Sequence, residues 1–554
     1  LISLDFSRRV LSAGGLMLFG GYLSLLAWRM PIGFDEVWHV FLARQSSPWL
    51  VWTTSSQAGH PPLFLSLLAL AETLCGPLPV FFSRFFSIIC ALASLVFFHK
   101  ICFVAGVTGI PRMIGLLGLA GTPAFFSTAI AVRGYALSQF LSLFGLYFLL
   151  QSLRRRADNI RGAVAYGHGL ELASLGLVCA CATHLSVWVL VFGLAGAIFA
   201  CETRLVVTSL RPARAMAASA LIFALMTLVS CGAMRSGILD QHSYLSPFLY
   251  QGDEPVWQFL SRVARIETSV LFPWVDVEAP VVGLMIPLLC LVLVSVSALM
   301  PPDSNAVQRT RRVVLLLPAF VLAGLVAASL LGRYPFGGQG RHQLILVTCC
   351  WLALAMLAAE LRTTTGRGLS AVLAVFIAIS GVANLYQARD VRIDPAFWYP
   401  AGIREAEDEI KRHPILGSTP LMATSIYALF HGERVISSEP FYGMVGDLRL
   451  RKYDNKGAVH NGIDDGSADV RIIASQDVPL NSWSIDLISP DGITAIRNLL
   501  DRAPGEEIFW IQERTGHGPG PDAVAEHYRA NGIDARPLPS NEGVDLVVFR
   551  RSDR

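Results

Sequence analysis

Hydrophobic residues make up 53% of the 554 positions and charged residues only 15%, with a mean hydropathy of +0.52. That balance excludes a soluble globular protein and points to a polytopic membrane protein, because such a chain has too little polar surface to cover its apolar mass in water. The formal net charge of +3 is too small and too dispersed to argue for nucleic acid.

Apolar runs of about 18 residues or more can cross a ~30 Å hydrocarbon core as helices, which satisfy their backbone groups internally. About eleven such runs are expected, near 11–29, 78–99, 111–130, 134–153, 168–183, 185–200, 215–233, 279–299, 313–331, 343–360 and 369–386. The short gaps at Gly134 and His184 predict helical hairpins. The first run lacks the small-residue cleavage pattern of a secretory signal, so it is expected to stay as a membrane helix. The arginine and lysine clusters at Arg8/Arg9, Lys100/Arg112, Arg154 to Arg156, Arg204/Arg211/Arg214, Arg309/Arg311/Arg312 and Arg362/Arg367 all fall on one side if eleven spans alternate. That side reads as cytoplasmic. The N-terminus then lies in the cytoplasm, and the loops 31–77 and 234–277, the turn 332–342 and everything after about 387 lie outside.

Between the first two spans stand Phe34-Asp35-Glu36-Val37-Trp38-His39 and then Gly59-His60-Pro61-Pro62-Leu63. A carboxylate at the lipid–water boundary can have its proton affinity tuned by burial and by nearby cations, so Asp35 is a candidate general base. A helix cap or a solvated acidic pair is the alternative reading. On a helix, Asp35 and His39 would share a face. The two prolines fix an elbow and suit the opening of an apolar helix over 63–75, holding His60 at the elbow's edge. The 234–277 loop mixes Tyr244, Tyr250, Trp257, Phe259, Phe272 and Trp274 with Asp253, Glu254, Arg262 and Arg265, a pattern suited to an amphipathic segment lying on the leaflet, either as an anchor or as a lid over substrate.

The ten cysteines have neither zinc-site spacing nor a disulfide framework; pairs such as Cys179/Cys181 and Cys349/Cys350 read as small packing residues inside spans. Glu36, His39, His60, His184 and His342 are suitable ligand types for a divalent ion, yet no pair has a diagnostic spacing, so a metal is only a secondary reading. After Tyr386 charge, glycine and proline return. Apolar strands at 470–474, 508–511 and 544–549 alternate with polar helical stretches near 402–412, 492–502 and 521–531, which predicts a small α/β domain. The boundaries are therefore 1–387 for the transmembrane part and 388–554 for a soluble extracytoplasmic domain. Gly516-His517-Gly518-Pro519-Gly520 has neither phosphate-loop nor dinucleotide spacing and reads as a plain loop.

The ordered set of Asp35-Glu36, His60-Pro61-Pro62-Leu63, Arg84-Phe85-Phe86-Ser87, Val132-Arg133-Gly134-Tyr135, Thr183-His184 and Arg333-Tyr334-Pro335-Phe336-Gly337-Gly338 followed by Arg341-His342 resembles the GT-C superfamily of integral-membrane glycosyltransferases. The resemblance is to the group containing dolichyl-phosphate-mannose protein mannosyltransferases, the aminoarabinose transferase of lipid A and the rhizobial galacturonosyltransferases, and it covers about residues 10–360. It implies a GT-C-like bundle in a bacterial inner membrane, a polyprenyl-phosphate sugar donor, and an acceptor hydroxyl on a glycolipid, glycan or protein. It assigns the first-loop aspartate, here Asp35, as the base. Arg133 and Arg341 are then expected on the lipid phosphate, with Glu36, His39, His60, Arg84, Tyr135, His184, Tyr334 and His342 shaping the substrate site. For the arginines, ordinary snorkelling to the interface is the competing reading, and for the tyrosines an interfacial belt. The chain lacks a lysine after the loop acid, which sets it apart from the aminoarabinose transferase. A transporter or lipid flippase is a rival class, although internal repeats and charged mid-membrane helices are weak here; a membrane scaffold without chemistry is another. An oligosaccharide polymerase or ligase would be expected to carry more histidine in its large outer loop.

Overall fold

The computed structural model describes residues 2–29, 62–75, 80–157, 163–207, 256–271, 282–299, 305–332 and 340–364. It also describes 415–417, 507–513, 520–538 and 544–551, with single positions among 36–43, 250–254, 334–336, 375–382 and 493–501. Two compact units emerge. One comprises 1–27, 84–231 and 241–391, and the other 28–83, 232–240 and 392–554.

In the first unit the chain runs through α1 (Ile2–Arg29), α3 (Val80–Val104, entering the unit at Arg84), α4 (Ile110–Ala120), α5 (Pro123–Ala129), α6 (Gly134–Ala157), α7 (Ala163–Cys181), α8 (Ser186–Val207), α9 (Val256–Leu271), α10 (Val282–Leu299), α11 (Ala306–Leu330), a 3-10 turn (Gly340–Gln343) and α12 (Leu344–Thr364). Helix α2 (Leu63–Cys75), which belongs to the second unit, begins where the Pro-Pro elbow predicts, with Ser66 N–H donating to the Pro62 carbonyl at 2.9 Å. By length and composition the segments Phe81–Val104, Gly134–Arg155, Ala306–Leu330 and Arg341–Leu361 can each cross a membrane, and shorter apolar helices accompany them. The pattern is that of a multi-pass membrane protein. The expected span 215–233 and all but two positions of 369–386 lie outside the described residues.

One expected span is corrected. The run 111–130 is two helices, broken at Gly121-Thr122-Pro123. The Thr122 hydroxyl accepts from Phe125 N–H at 3.4 Å and donates to the Leu119 carbonyl at 2.8 Å, and Pro123 opens α5. A helix N-cap followed by proline at the first helical position starts a new helix, whatever the hydropathy of the flanks.

The bundle is held by close backbone approach as much as by apolar bulk. A Cβ on Gly145 of α6 would stand 2.9 Å from the Ala173 carbonyl of α7, so only glycine lets the hairpin close this tightly. Across α4 and α12, Gly118 lies under Trp351, which is 1% exposed. Phe97 of α3 meets Phe140, Phe144 and Tyr147 of α6 at ring-centroid distances of 5.2 to 5.7 Å. Outward, Met17, Leu18, Phe192, Leu291 and Leu299 are more than half exposed, as side chains solvated by lipid would be.

In the second unit a four-stranded sheet has the order β1-β2-β4-β3, with β1 (Ile415–Gly417), β2 (Ile508–Glu513), β3 (Ile533–Leu538) and β4 (Val544–Arg551). The β1–β2 pair is parallel; β2–β4 and β3–β4 are antiparallel, with Trp510 opposite Val547 and Ala535 opposite Phe549. Helix α13 (Pro521–Ala530) packs on β3 and β4, placing the Tyr528 ring 4.5 Å from Phe549. Ile496, Leu500, Val524, Ile533 and Val547 complete that core. Strand β3 and the short β1 were not expected from the sequence; the expected strand 470–474, the helix 402–412 and most of the 513–520 loop lie outside the described residues.

Candidate functional site

Three helices of the first unit start at one place, and each start is preceded by a basic or imidazole side chain. Arg133 directly precedes α6, His184 lies two residues before α8, and Arg341 and His342 sit in the 3-10 turn that feeds α12. Tyr135, in the first turn of α6, is the hub. Its ring centroid is 4.4 Å from that of His184 and 6.5 Å from that of His342, and the Arg133 guanidinium lies 5.7 Å over the same ring. Tyr334 joins from the other side, with its ring 6.3 Å from His342 and its hydroxyl donating to the His342 carbonyl at 2.7 Å.

Local sequence explains each placement. Between α5 and α6 the stretch 130–133 is not helical; Arg133 N–H turns back to the Ala131 carbonyl at 2.9 Å, and Arg133 is 8% exposed beside Tyr135. At the α7–α8 corner, Ser186 N–H donates to His184 Nδ1 at 3.2 Å and the Ser186 hydroxyl lies 2.7 Å from the same nitrogen. A backbone N–H needs a lone pair to donate to, so in this arrangement Nδ1 is the acceptor and Nε2 carries the proton. The segment 334–343 is stitched twice, by the Tyr334 hydroxyl and by the Gln343 amide, which donates to the Phe336 carbonyl. Those bonds hold Arg341 and His342 at the start of α12.

Electrostatically, the first turn of a helix exposes unsatisfied N–H groups with a positive partial charge, which favours anions and disfavours cations. Placing Arg133, Arg341 and imidazoles around such starts concentrates positive potential there. This combination can hold an anion such as a phosphate, for which a planar guanidinium offers two parallel donors.

The other expected residues distribute as follows. Arg84 is 3% exposed, and its Nη1 donates to the Ala27 carbonyl at 2.7 Å, so at least one of its donors ties α3 to α1. Glu36 and His39, in the second unit, are 6% and 5% exposed, and the His39 ring lies 6.3 Å from Phe64. Asp35 and His60, together with Arg333, Pro335, Gly337 and Gly338, lie outside the described residues. Among the described residues no three His, Cys, Asp or Glu side chains come together as a metal set. His184 commits Nδ1 to Ser186.

Sequence reasoning missed Ser186 and Gln343, which orient the histidine and the 3-10 turn. It also missed the buried pair in which Gln139 Nε2 donates to the Thr348 hydroxyl at 2.7 Å, one turn along α6 from Tyr135. Gln139 and Thr348 line a small cavity with Ser142, Leu190 and Cys349. A glutamine near the start of an apolar run was the available clue.

No protein-family model and no curated protein sequence matches the chain. Among solved structures it is similar to ArnT from Cupriavidus metallidurans in the apo state and bound to undecaprenyl phosphate. Each is 12% identical over 97% of this chain and 98% of that one, with a TM-score of 0.39. It is also similar to the archaeal oligosaccharyltransferase AglB from Archaeoglobus fulgidus in complex with an inhibitory peptide and a dolichol-phosphate, 11% identical over 79% of this chain and 65% of that one, with a TM-score of 0.44.

Proposed function

We propose that the protein is an integral-membrane glycosyltransferase of the GT-C type, which takes a sugar from a polyprenyl-phosphate donor and passes it to an acceptor hydroxyl at the extracytoplasmic face of a bacterial inner membrane. The observation that carries this reading is the meeting of Arg133, Tyr135, His184, Tyr334 and His342, drawn from chain segments as far apart as 133 and 342, at the starts of α6, α8 and α12.

In such a reaction the acceptor oxygen forms a bond to the anomeric carbon as the bond from that carbon to the phosphate oxygen breaks. The phosphate leaves with the electron pair and needs positive partners as its charge grows. Arg133 and Arg341 have that role here, supported by the N–H groups of the nearby helix starts. The acceptor's proton needs a base, and Asp35 is assigned that role with inversion at the anomeric carbon. Tyr135, Tyr334, His184 and His342 offer ring faces and hydrogen-bonding edges to the sugar and its phosphate, with Glu36, His39 and His60 contributing from the first loop. A divalent ion is not required by this scheme. The second unit's sheet would help to select the acceptor glycolipid, glycan or protein.

The test is sugar transfer by the purified protein from polyprenyl-phosphate-linked hexoses and pentoses, comparing wild type with Asp35→Asn and His342→Ala. Loss of turnover in both, with folding intact, is expected. Full turnover in Asp35→Asn would remove that carboxylate as the base, and full turnover in both variants would remove the reading.

A further inference from the structure

Among the described helices of the first unit α9 is the most strongly amphipathic, and its apolar stripe is only half used. Along the stripe, Val256, Leu260, Val263, Ala264 and Leu271 recur at helical spacing, interrupted by Glu267 in the C-terminal half, while Gln258, Ser261, Arg262 and Arg265 occupy the opposite face. The C-terminal half of the stripe is covered: Val263, Ala264 and Leu271 are 2%, 8% and 0% exposed, and the helix packs on α10. In the N-terminal half Phe259 is covered as well, at 0% exposed, but the three apolar side chains beside it are not. Val256, Trp257 and Leu260 are 43%, 68% and 36% exposed.

An exposed tryptophan flanked by aliphatic side chains would be a solubility fault in water and is favourable at a membrane surface, where the indole bridges acyl chains and headgroups. The neighbours fit the same solvent. Helix α10, on which α9 packs, itself shows Leu288, Leu291, Val292 and Leu299 to its surroundings. On the polar side, Arg262 pairs with Glu254 at 2.6 Å and lies 5.3 Å over the Phe259 ring, so that face is built of charge and hydrogen bonds. The inner flank of α9 also touches the 3-10 turn that carries Arg341 and His342.

We infer that the N-terminal half of α9 is a lipid-docking surface: Val256, Trp257 and Leu260 enter the acyl boundary of the leaflet at the Tyr135 end of the bundle, while Arg262 and Arg265 stay at headgroup level. The lipid continues the interface that α10 begins, which is why one stripe can be covered by protein along one half and by bilayer along the other. Because α9 supports the 3-10 turn, its depth in the leaflet sets the height of His342 relative to the lipid headgroups.

The test uses the full chain reconstituted in phosphatidylcholine vesicles. Trp257→Phe is a conservative change at an exposed position, and the difference between wild-type and variant emission isolates Trp257 from the other ten of the eleven tryptophans. A blue-shifted difference spectrum, strongly quenched by lipids brominated high on the acyl chain and weakly by acrylamide, is expected. Leu260→Trp in the Trp257→Phe background is expected to behave the same way. A red-shifted difference spectrum quenched by acrylamide and untouched by brominated lipid would overturn the inference. So would protection from both quenchers, which would mean that protein covers the patch. The readout needs no turnover, so it stands or falls separately from the transferase reading.

Discussion

At the two ends of the helix bundle, arginine is used in opposite ways. At the end where α3 and α6 finish and α11 begins, Arg154 donates to the Val104 carbonyl at 2.8 Å. Arg311 donates to the Ala105 and Gly106 carbonyls at 2.7 and 3.0 Å and to the Glu360 carboxylate. These are carbonyls at and just beyond a helix C-terminus, where the backbone dipole is negative and a cation is stabilising by about 0.3–1 kcal/mol before any hydrogen bond is added. At the other end Arg133 lies over Tyr135 at the start of α6, where the dipole works against a cation. The first set of arginines is explained by the fold alone. The second set stands beside helix starts whose N–H groups favour anions, which is the setting that the proposed phosphate-binding role would use.

Substitutions can break that contrast, and the largest effect belongs to Arg133. Removing one preorganised donor to a developing oxyanion typically costs about 100- to 1,000-fold in turnover, so Arg133→Ala should lose about that much transfer activity while its thermal unfolding in detergent shifts little; retained activity would reduce Arg133 to an interfacial residue. Arg311→Ala should do the reverse. It gives up charge-assisted bonds that hold α3, α11 and α12 together and leaves Glu360 half-buried, an expected loss on the order of 2–4 kcal/mol in stability, with KM for the donor unchanged in the protein that remains folded.

Between the ends, Gly118→Ala would place a Cβ 2.2 Å from the Trp351 ring. Overpacking of this kind costs about 1–3 kcal/mol. Because α12 begins beside His342 and carries Glu360 near its far end, this variant should lower both the melting temperature and the transfer rate, whereas a shift confined to one of them would show that the two ends are decoupled. The smallest effect is expected from Gln139→Leu, which removes the α6–α12 hydrogen bond while Thr348 keeps its own bond to the Leu344 carbonyl. Its cost should stay within about 1 kcal/mol by the same melting measurement.

Legibility in the sequence followed the length scale of the physics. Long apolar runs and Pro-Pro elbows act over whole helices, so α2, the α7–α8 corner at His184 and strands β2 and β4 could be read directly. The break inside 111–130 depends on one threonine hydroxyl placed just before a proline, which a hydropathy window averages away. Strand β3 contains Arg536 and Pro537 and reads as loop; it becomes a strand because β4 gives it a partner, with Pro537 opposite Val547 at the sheet edge. Within the site, Arg133, Tyr135, His184, Tyr334 and His342 stand in the ordered motifs through which the sequence resembles known membrane glycosyltransferases. That Arg133, His184 and His342 gather around the Tyr135 ring, with Tyr334 on His342, was not legible, since helix packing and not sequence spacing brings them together. Ser186 and Gln343 escaped notice because their work is to orient neighbours, a role that residue type alone does not announce.

The claim that one end of the bundle binds a lipid phosphate is tested most directly by measuring binding of a polyprenyl monophosphate to the full chain in nanodiscs, with Arg133→Ala, Arg341→Ala and Arg154→Ala compared with wild type. The account predicts affinity lost by at least about tenfold in the first two, corresponding to one charge-assisted contact of about 1.4 kcal/mol or more, and retained in Arg154→Ala. Equal affinity in all four proteins, or a loss in Arg154→Ala alone, would contradict it.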